Sequence, residues 1–221
     1  MPRQARIVFS GELYHITQRG NFRQKVFFDD QDRATYLKYI EENASKHDLR
    51  IYAYCLMDNH VHFIVKPEND KALADVFRIT HQRYSLYLNK RLKQFGHRWQ
   101  SRFYSCLLLG DYIQKAVRYV EKNPVRAGMF KKPWHYAWSS ARAHLGESYK
   151  IITLADINEY IQVASWKEYL CKEEGLHEIK DLRTATQQGK AFGLKQDVED
   201  VETKTGQQLM ARNRGRPYKD K

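Results

Sequence analysis

The stretch that most constrains this chain is Tyr54-Cys55-Leu56-Met57-Asp58-Asn59-His60-Val61-His62-Phe63-Ile64-Val65. Two apolar runs flank Asp58-Asn59, residues suited to a tight turn, so the stretch reads as a β-hairpin over about 50–66. Successive strand side chains point to opposite faces, which sends His60 and His62 one way and Val61, Phe63 and Val65 the other. At ~3.3 Å rise per residue the two imidazole-bearing positions lie ~6.6 Å apart, close enough for both rings to converge on one divalent cation. Two imidazoles are an incomplete ligand set. Taken alone, a His-x-His pair on a polar strand face is as readily solvated surface, so its meaning depends on a partner elsewhere.

That partner is Asp111-Tyr112-Ile113-Gln114-Lys115-Ala116-Val117-Arg118-Tyr119-Val120-Glu121-Lys122-Asn123-Pro124. Ile113, Ala116, Val117 and Val120 recur at helical spacing and define a buried stripe, with Asp111 as N-cap and Pro124 as a stop. Tyr119 and Asn123 fall one turn apart at one edge of the stripe, so a phenol and an amide oxygen reach the same small volume. Tyr112 is a rival nucleophile on nearly the same face, but the residue four places after it is Ala116, which offers no donor atom. Without the histidines, Tyr119 would read as a tyrosine at the edge of the core.

His60-Val61-His62, followed by Tyr119 and then Asn123-Pro124-Val125-Arg126-Ala127-Gly128, resembles the REP-associated tyrosine transposases within the single-tyrosine HUH transposases. Further matching pieces are Tyr14-His15-Ile16-Thr17-Gln18-Arg19-Gly20-Asn21, Trp99-Gln100-Ser101-Arg102-Phe103 and Trp138-Ser139-Ser140, in the family's order from about residue 14 to 146. The resemblance implies a metal-dependent single-stranded DNA endonuclease and strand-transferase acting at palindromic repeat hairpins. Tyr119 would become joined to a 5′ phosphate and leave a free 3′-hydroxyl, with Mg²⁺ or Mn²⁺ held by His60, His62 and Asn123. More distant relatives carry glutamine as third ligand, and Asn123 is a shorter arm. Softness alone favours Mn²⁺, or a borderline metal, over Mg²⁺ beside two imidazoles; Mg²⁺ is the family's implication. The chemistry suits a tyrosine, because its covalent product keeps the phosphoester energy for rejoining, although a phenol of pKa ~10 needs local activation.

A net charge of +12 with 13% aromatic residues favours a polyanionic partner, nucleic acid first and a membrane surface second. No apolar run approaches the ~20 residues that span a bilayer, and Met1-Pro2-Arg3-Gln4-Ala5-Arg6 lacks a signal-peptide core. A cytoplasmic, nucleoid-associated protein that binds single-stranded and hairpin DNA is expected, as a monomer or a homodimer. Cys55, Cys106 and Cys171 read as buried thiols.

In chain order the pattern gives a strand over about 6–17, a polar loop over 18–25, a helix opening at Asp29-Asp30-Gln31-Asp32, the hairpin, a long helix to about Lys93, a strand over 100–109 and the Tyr119 helix. In the long helix Leu73, Val76, Phe77, Thr80, Tyr84, Tyr87 and Leu88 point inward, while Arg78, His81, Arg83, Lys90, Arg91 and Lys93 form a basic side. This order predicts an α+β fold, a ferredoxin-like antiparallel sheet with helices packed on one face, plus a C-terminal extension. Residues 1–146 form the nuclease domain in this reading, 147–179 a partly helical extension and 180–221 a loosely structured basic tail.

Candidate DNA contacts are Arg19, Asn21, Arg98, Gln100, Arg102 and Arg126. Arg214 and Arg216 join them, because Arg214-Gly215-Arg216-Pro217 resembles an AT-hook core. Trp99 fits either a base-stacking platform or the core. The alternative function is a hairpin-DNA binding regulator of repeat elements that does not cut. A rolling-circle initiator shares the chemistry but usually brings a helicase, and no P-loop pattern occurs.

Overall fold

The expected hairpin lies at one side of a five-stranded sheet in a computed structural model that describes residues 7–147 and 152–211. The chain runs β1 (Tyr14–Arg19), α1 (Asp30–Lys46), β2 (Leu49–Met57), β3 (His60–Pro67), α2 (Ala72–Leu92) and β4 (Tyr104–Leu108). It continues through α3 (Tyr112–Glu121), α4 (Asn123–Arg126), α5 (Ala141–His144), α6 (Trp166–Cys171), α7 (Leu176–Gln188), β5 (Ala191–Phe192) and α8 (Lys195–Thr205). The sheet order is β2-β3-β1-β4-β5. The first four strands are antiparallel, as the ferredoxin-like pattern requires, and β5 adds parallel to β4.

Helices cover both faces of the sheet, not the single face expected. On one side α1 and α2 pack on Tyr14, Ile16, Tyr54, Phe63 and Val65. On the other, α3, α6 and α7 pack on Leu13, Cys55, Ile64, Cys106 and Leu108. The physical reason lies in β2, where Ile51 to Met57 run without a polar interruption, as a strand buried on both faces must.

Several boundaries also differ. β1 begins at Tyr14, after a turn at Ser10-Gly11, and continues through Gln18 and Arg19. Asp111 occupies the N-cap of α3 without a side-chain capping bond. Pro124 does not end the helical path; it sits in the first turn of α4, where its missing N–H costs nothing. Residues 180–211, expected to be loose, form the rest of α7, then β5 and α8, and bury Leu182, Phe192, Val198 and Leu209. Part of the basic side of α2 is committed to α1 and its N-cap: Arg83 pairs with Glu42 and Arg91 with Asp29 and Asp32. His81 is buried against the Tyr36 hydroxyl. Cys55 and Cys106 are buried, whereas Cys171 is exposed.

Two anchors hold the hairpin turn and the Tyr119 helix in place. The hairpin turn is clamped by the 20–27 loop: the N–H groups of Val26 and Phe27 donate to the Asp58 carbonyl and that of Gly20 to the Asn59 carbonyl. The loop passes so close to itself at Gly20 that a Cβ there would lie 2.3 Å from the Gln24 carbonyl oxygen. The second anchor is Glu121, at the end of α3 and 0% exposed. Its carboxylate accepts from Ser140 Oγ, His144 Nδ1 and Trp166 Nε1. Ser140 in turn lies against the edge of β2, where its N–H donates to the Tyr54 carbonyl and its Oγ accepts from the Tyr54 N–H. The Trp138-Ser139-Ser140 piece therefore ties the Tyr119 helix to the sheet.

Replacing Glu121 with alanine strands three buried donors, and we expect a loss of about 3 kcal/mol or more in urea unfolding. Glu121→Gln, which keeps one acceptor, is expected to lose less.

Candidate active site

The alternation along β3 places His60 and His62 on the α3 side of the sheet, their ring centroids 5.0 Å apart and nearly perpendicular. The antiparallel register sets Thr17 opposite His62 and Arg19 opposite His60, so His15, Thr17 and Arg19 of β1 share that face. From above, α3 brings Tyr119, only 5% exposed, edge-on to His62 at 5.5 Å and to His15 at 5.8 Å. One turn on, Asn123 donates from Nδ2 to the Tyr119 carbonyl at 3.1 Å and to that of Val120 at 3.4 Å, which leaves Oδ1 uncommitted to the helix. The structure thus gathers the two imidazoles, the phenol and the amide around one cleft of about 430 Å³.

Cations dominate the cleft. Arg19, Arg23, Arg126 and Arg183 line it, and none of its lining residues among the described ones is acidic. Arg126 lies with its guanidinium carbon 4.2 Å from the Tyr119 ring centroid, donates to the Tyr119 carbonyl and forks onto Glu174 at 2.8 Å. Its Nε and Nη1 are buried without a hydrogen-bond partner among the described residues. Arg183 of α7 donates from Nε to the Tyr119 hydroxyl at 3.2 Å. From the same helix, Thr186 meets His15 at 2.9 Å.

Burial disfavours charge on all three imidazoles. It lowers His15 to about 3 and, with Arg19 and Arg183 adding repulsion, His60 to about 4. His62 is held well below its ordinary value by burial, then by His60, His15, Arg126 and Arg19. The rings are neutral at pH 7 and keep lone pairs for a ligand. Nδ1 of His60 is taken by Asn59 Oδ1 at 2.7 Å and Nδ1 of His62 by His15 Nε2 at 2.8 Å, so Nε2 is the nitrogen left on each. Among the described residues no three His, Cys, Asp or Glu side chains converge as a metal site. Two imidazole Nε2 atoms and the Asn123 amide oxygen nonetheless fit a divalent ion that completes its shell with water and phosphate oxygens.

The remaining expected residues separate. Arg19 and Arg126 are in the cleft. Arg98 and Arg102 line a second cavity, of about 560 Å³, between α2 and the 96–103 segment on the opposite face of the sheet, reached from β1 by Gln18. Asn21 and Gln100 lie at the seam, where Asn21 N–H donates to the Arg98 carbonyl and Gln100 N–H to that of Arg19. Trp99 is core: it is buried, and its Nε1 donates to the His81 carbonyl. Tyr112 packs on Phe192 at 4.6 Å and is not among the residues lining the Tyr119 cleft. Arg214 and Arg216 lie outside the described residues. His15, Arg183 and Thr186 belong to the cleft although strand and charge patterns do not single them out. The signals for them are the even spacing from Thr17 and Arg19, and the Ile179, Leu182, Thr186 helical spacing.

The lowered imidazoles carry a stability signature. The unfolded chain protonates His15 and His62 near their ordinary value of 6.5 while the folded chain does not. The unfolded state therefore binds more protons below that pH, and stability falls as pH drops from 6.5 toward 4, with no contribution from these groups above it. In metal-free protein each ring is expected to add about 1.4 kcal/mol per pH unit to that slope, measured by urea titration across the range. His15→Asn is expected to make the slope shallower.

A family model described as Transposase IS200 like matches residues 9–123, just over half of the chain. Among solved structures, that of a REP-associated tyrosine transposase bound to a REP hairpin is similar with a TM-score of 0.57 at 18% identity, covering 75% of this chain and 96% of that one. A candidate transposase from Deinococcus radiodurans R1 aligns with a TM-score of 0.39 at 16% identity, covering 55% of this chain and 97% of that one. No curated protein matches.

Proposed function

The chain belongs to the IS200-like transposase family, a family of DNA-processing proteins, and from that premise we propose that it nicks and rejoins single-stranded DNA at palindromic repeat hairpins, with Tyr119 as nucleophile. The observation that carries this reading is the Tyr119 ring lodged against His62 in a cationic cleft, its hydroxyl receiving a hydrogen bond from Arg183. The hairpin substrate is suggested by the neighbour in fold that is bound to one.

Tyr119 Oη gives up its proton to solvent and forms a bond to phosphorus as the bond from phosphorus to the 3′ oxygen breaks, and that oxygen takes up a proton from solvent, giving a 5′-phosphotyrosine and a free 3′-hydroxyl. One phosphoester replaces another, so the step can run backward onto a different 3′ end. Arg183 stabilises the phenolate as it forms, and the Arg126 guanidinium over the ring adds to that effect. The unpaired Nε and Nη1 of Arg126, with Arg19 and Arg23, suit the non-bridging oxygens of the scissile phosphate. A Mg²⁺ or Mn²⁺ ion held by His60, His62 and Asn123 supplies Lewis-acid neutralisation of phosphate charge when bound. Asn21 and Gln100 at the seam, with Arg98 and Arg102 in the cavity on the opposite face, are assigned to flanking DNA, and Arg214 and Arg216 to the hairpin stem.

Incubation with a 3′-labelled hairpin oligonucleotide and Mn²⁺ is expected to give a labelled protein–DNA adduct that survives denaturant. Tyr119→Phe abolishes it, Tyr112→Phe retains it and EDTA stops cleavage. Arg183→Ala is expected to slow adduct formation by about 10²-fold, as loss of one charge-stabilising donor does. Unchanged adduct yield in Tyr119→Phe, or hairpin binding with no cleavage in any divalent metal, would overturn the reading in favour of a regulator that binds without cutting.

A further inference from the structure

We propose that Thr186 of α7 and His15 of β1 are positioning residues that hold His62 in its Nδ1–H tautomer, so that the Nε2 lone pair is the one offered to the cleft. The inference rests on His60 and His62 being ligand-bearing side chains, and it assigns part of the site to a helix beyond the family-matched residues 9–123.

The protons can be placed one by one, starting from a group that only accepts. The Leu182 carbonyl receives the Thr186 hydroxyl at 2.7 Å, which commits that hydroxyl's single proton. Thr186 Oγ1 therefore meets His15 Nδ1, 2.9 Å away, as an acceptor, and His15 carries its proton on Nδ1. His15 is 2% exposed and its ring bonds only to Thr186 and His62 among the described residues, with no carboxylate to support an imidazolium. A neutral ring has one N–H, so His15 Nε2 is a lone pair. Across the 2.8 Å contact, His62 Nδ1 must then be the donor. The two rings lie 8° from parallel with centroids 5.1 Å apart, the arrangement of two imidazoles joined nitrogen to nitrogen in nearly one plane. His62 Nε2 is left without a proton.

A separate device does the same for His60. Asn59 Nδ2 donates to the Arg23 carbonyl at 3.0 Å, which fixes the amide so that Oδ1 faces His60 Nδ1 at 2.7 Å. His60 Nδ1 is the donor there, and its Nε2 is likewise a lone pair. Both rings are thus held against the Nε2–H tautomer that imidazole side chains favour in water, which would present a proton where a cation must bind. Thr186 could also serve merely to pack α7 on the sheet, and the test separates the two roles.

Long-range ¹H–¹⁵N correlation of metal-free, full-length protein labelled at histidine reads each tautomer directly, and the wild-type spectrum tests the proton placement without requiring a variant to fold. His15, His60 and His62 are expected to appear as Nδ1–H rings. Thr186→Val, which keeps the shape and removes the hydroxyl, is expected to shift His15 and His62 toward Nε2–H. It should also weaken Mn²⁺ binding, followed by electron paramagnetic resonance, by 10–100-fold. Thr186→Ser is expected to restore both, with unchanged urea midpoints across the set. His62 found as Nε2–H in wild type, or Thr186→Val with unaltered tautomers and Mn²⁺ affinity, would overturn the proposal. Three Nδ1–H rings with no Mn²⁺ binding would uphold the proton placement and overturn the metal reading of the site.

Discussion

The antiparallel pairing of β1 with β3 is the constraint on which the site depends. In that register Thr17 faces His62 and Arg19 faces His60, so one face of an otherwise apolar sheet gathers His15, Thr17, Arg19, His60 and His62 in a single patch. Because strand side chains alternate, a slip of one residue would drive both histidines into the packing against α1 and α2 and turn Val61 and Phe63 into the cleft. The clamp on the Asp58-Asn59 turn blocks that slip, and Gly20 permits the clamp to approach closely enough.

A patch of histidines is inert without the helix above it, and the position of α3 is set at its far end. Glu121 gathers Ser140, His144 and Trp166 into a buried knot and, through Ser140, joins the helix to β2. Tyr119 lies two residues before this knot and Asn123 two residues after it. The phenol and the amide are thus carried by a rigid support, as a site requires if small displacements are to be avoided. The Arg126–Glu174 fork adds a tie to the segment before α7.

Much of this was legible in the chain. The hairpin, the His60 and His62 face, the helical stripe of α3 and the pairing of Tyr119 with Asn123 follow from periods of two and 3.6 residues. What escaped had physical causes. Helices on the second face were signalled only by the unbroken apolar run of β2, which an alternation rule does not reward. The segment from 180 onward is poor in apolar residues, yet Leu182, Phe192, Val198 and Leu209 each find a place against the sheet edge, and Gly189, at φ 67°, ends α7 in the left-handed conformation. His15 was visible as part of a motif, but its contact with Thr186 spans 171 positions, a relation no local pattern contains. His81 illustrates the opposite error: expected on the basic side of α2, it is packed ring against ring at 4.5 Å with Trp99 in the core, which settles the two readings open for Trp99.

The central claim is that one phenol, and not its neighbour two turns earlier, carries the covalent chemistry. Tryptic digestion of the protein–DNA adduct followed by mass spectrometry tests it most directly. The account predicts a nucleotide mass, linked through its 5′ phosphate, on the peptide that contains Tyr119. The same mass on the peptide that contains Tyr112, or on neither, would contradict it.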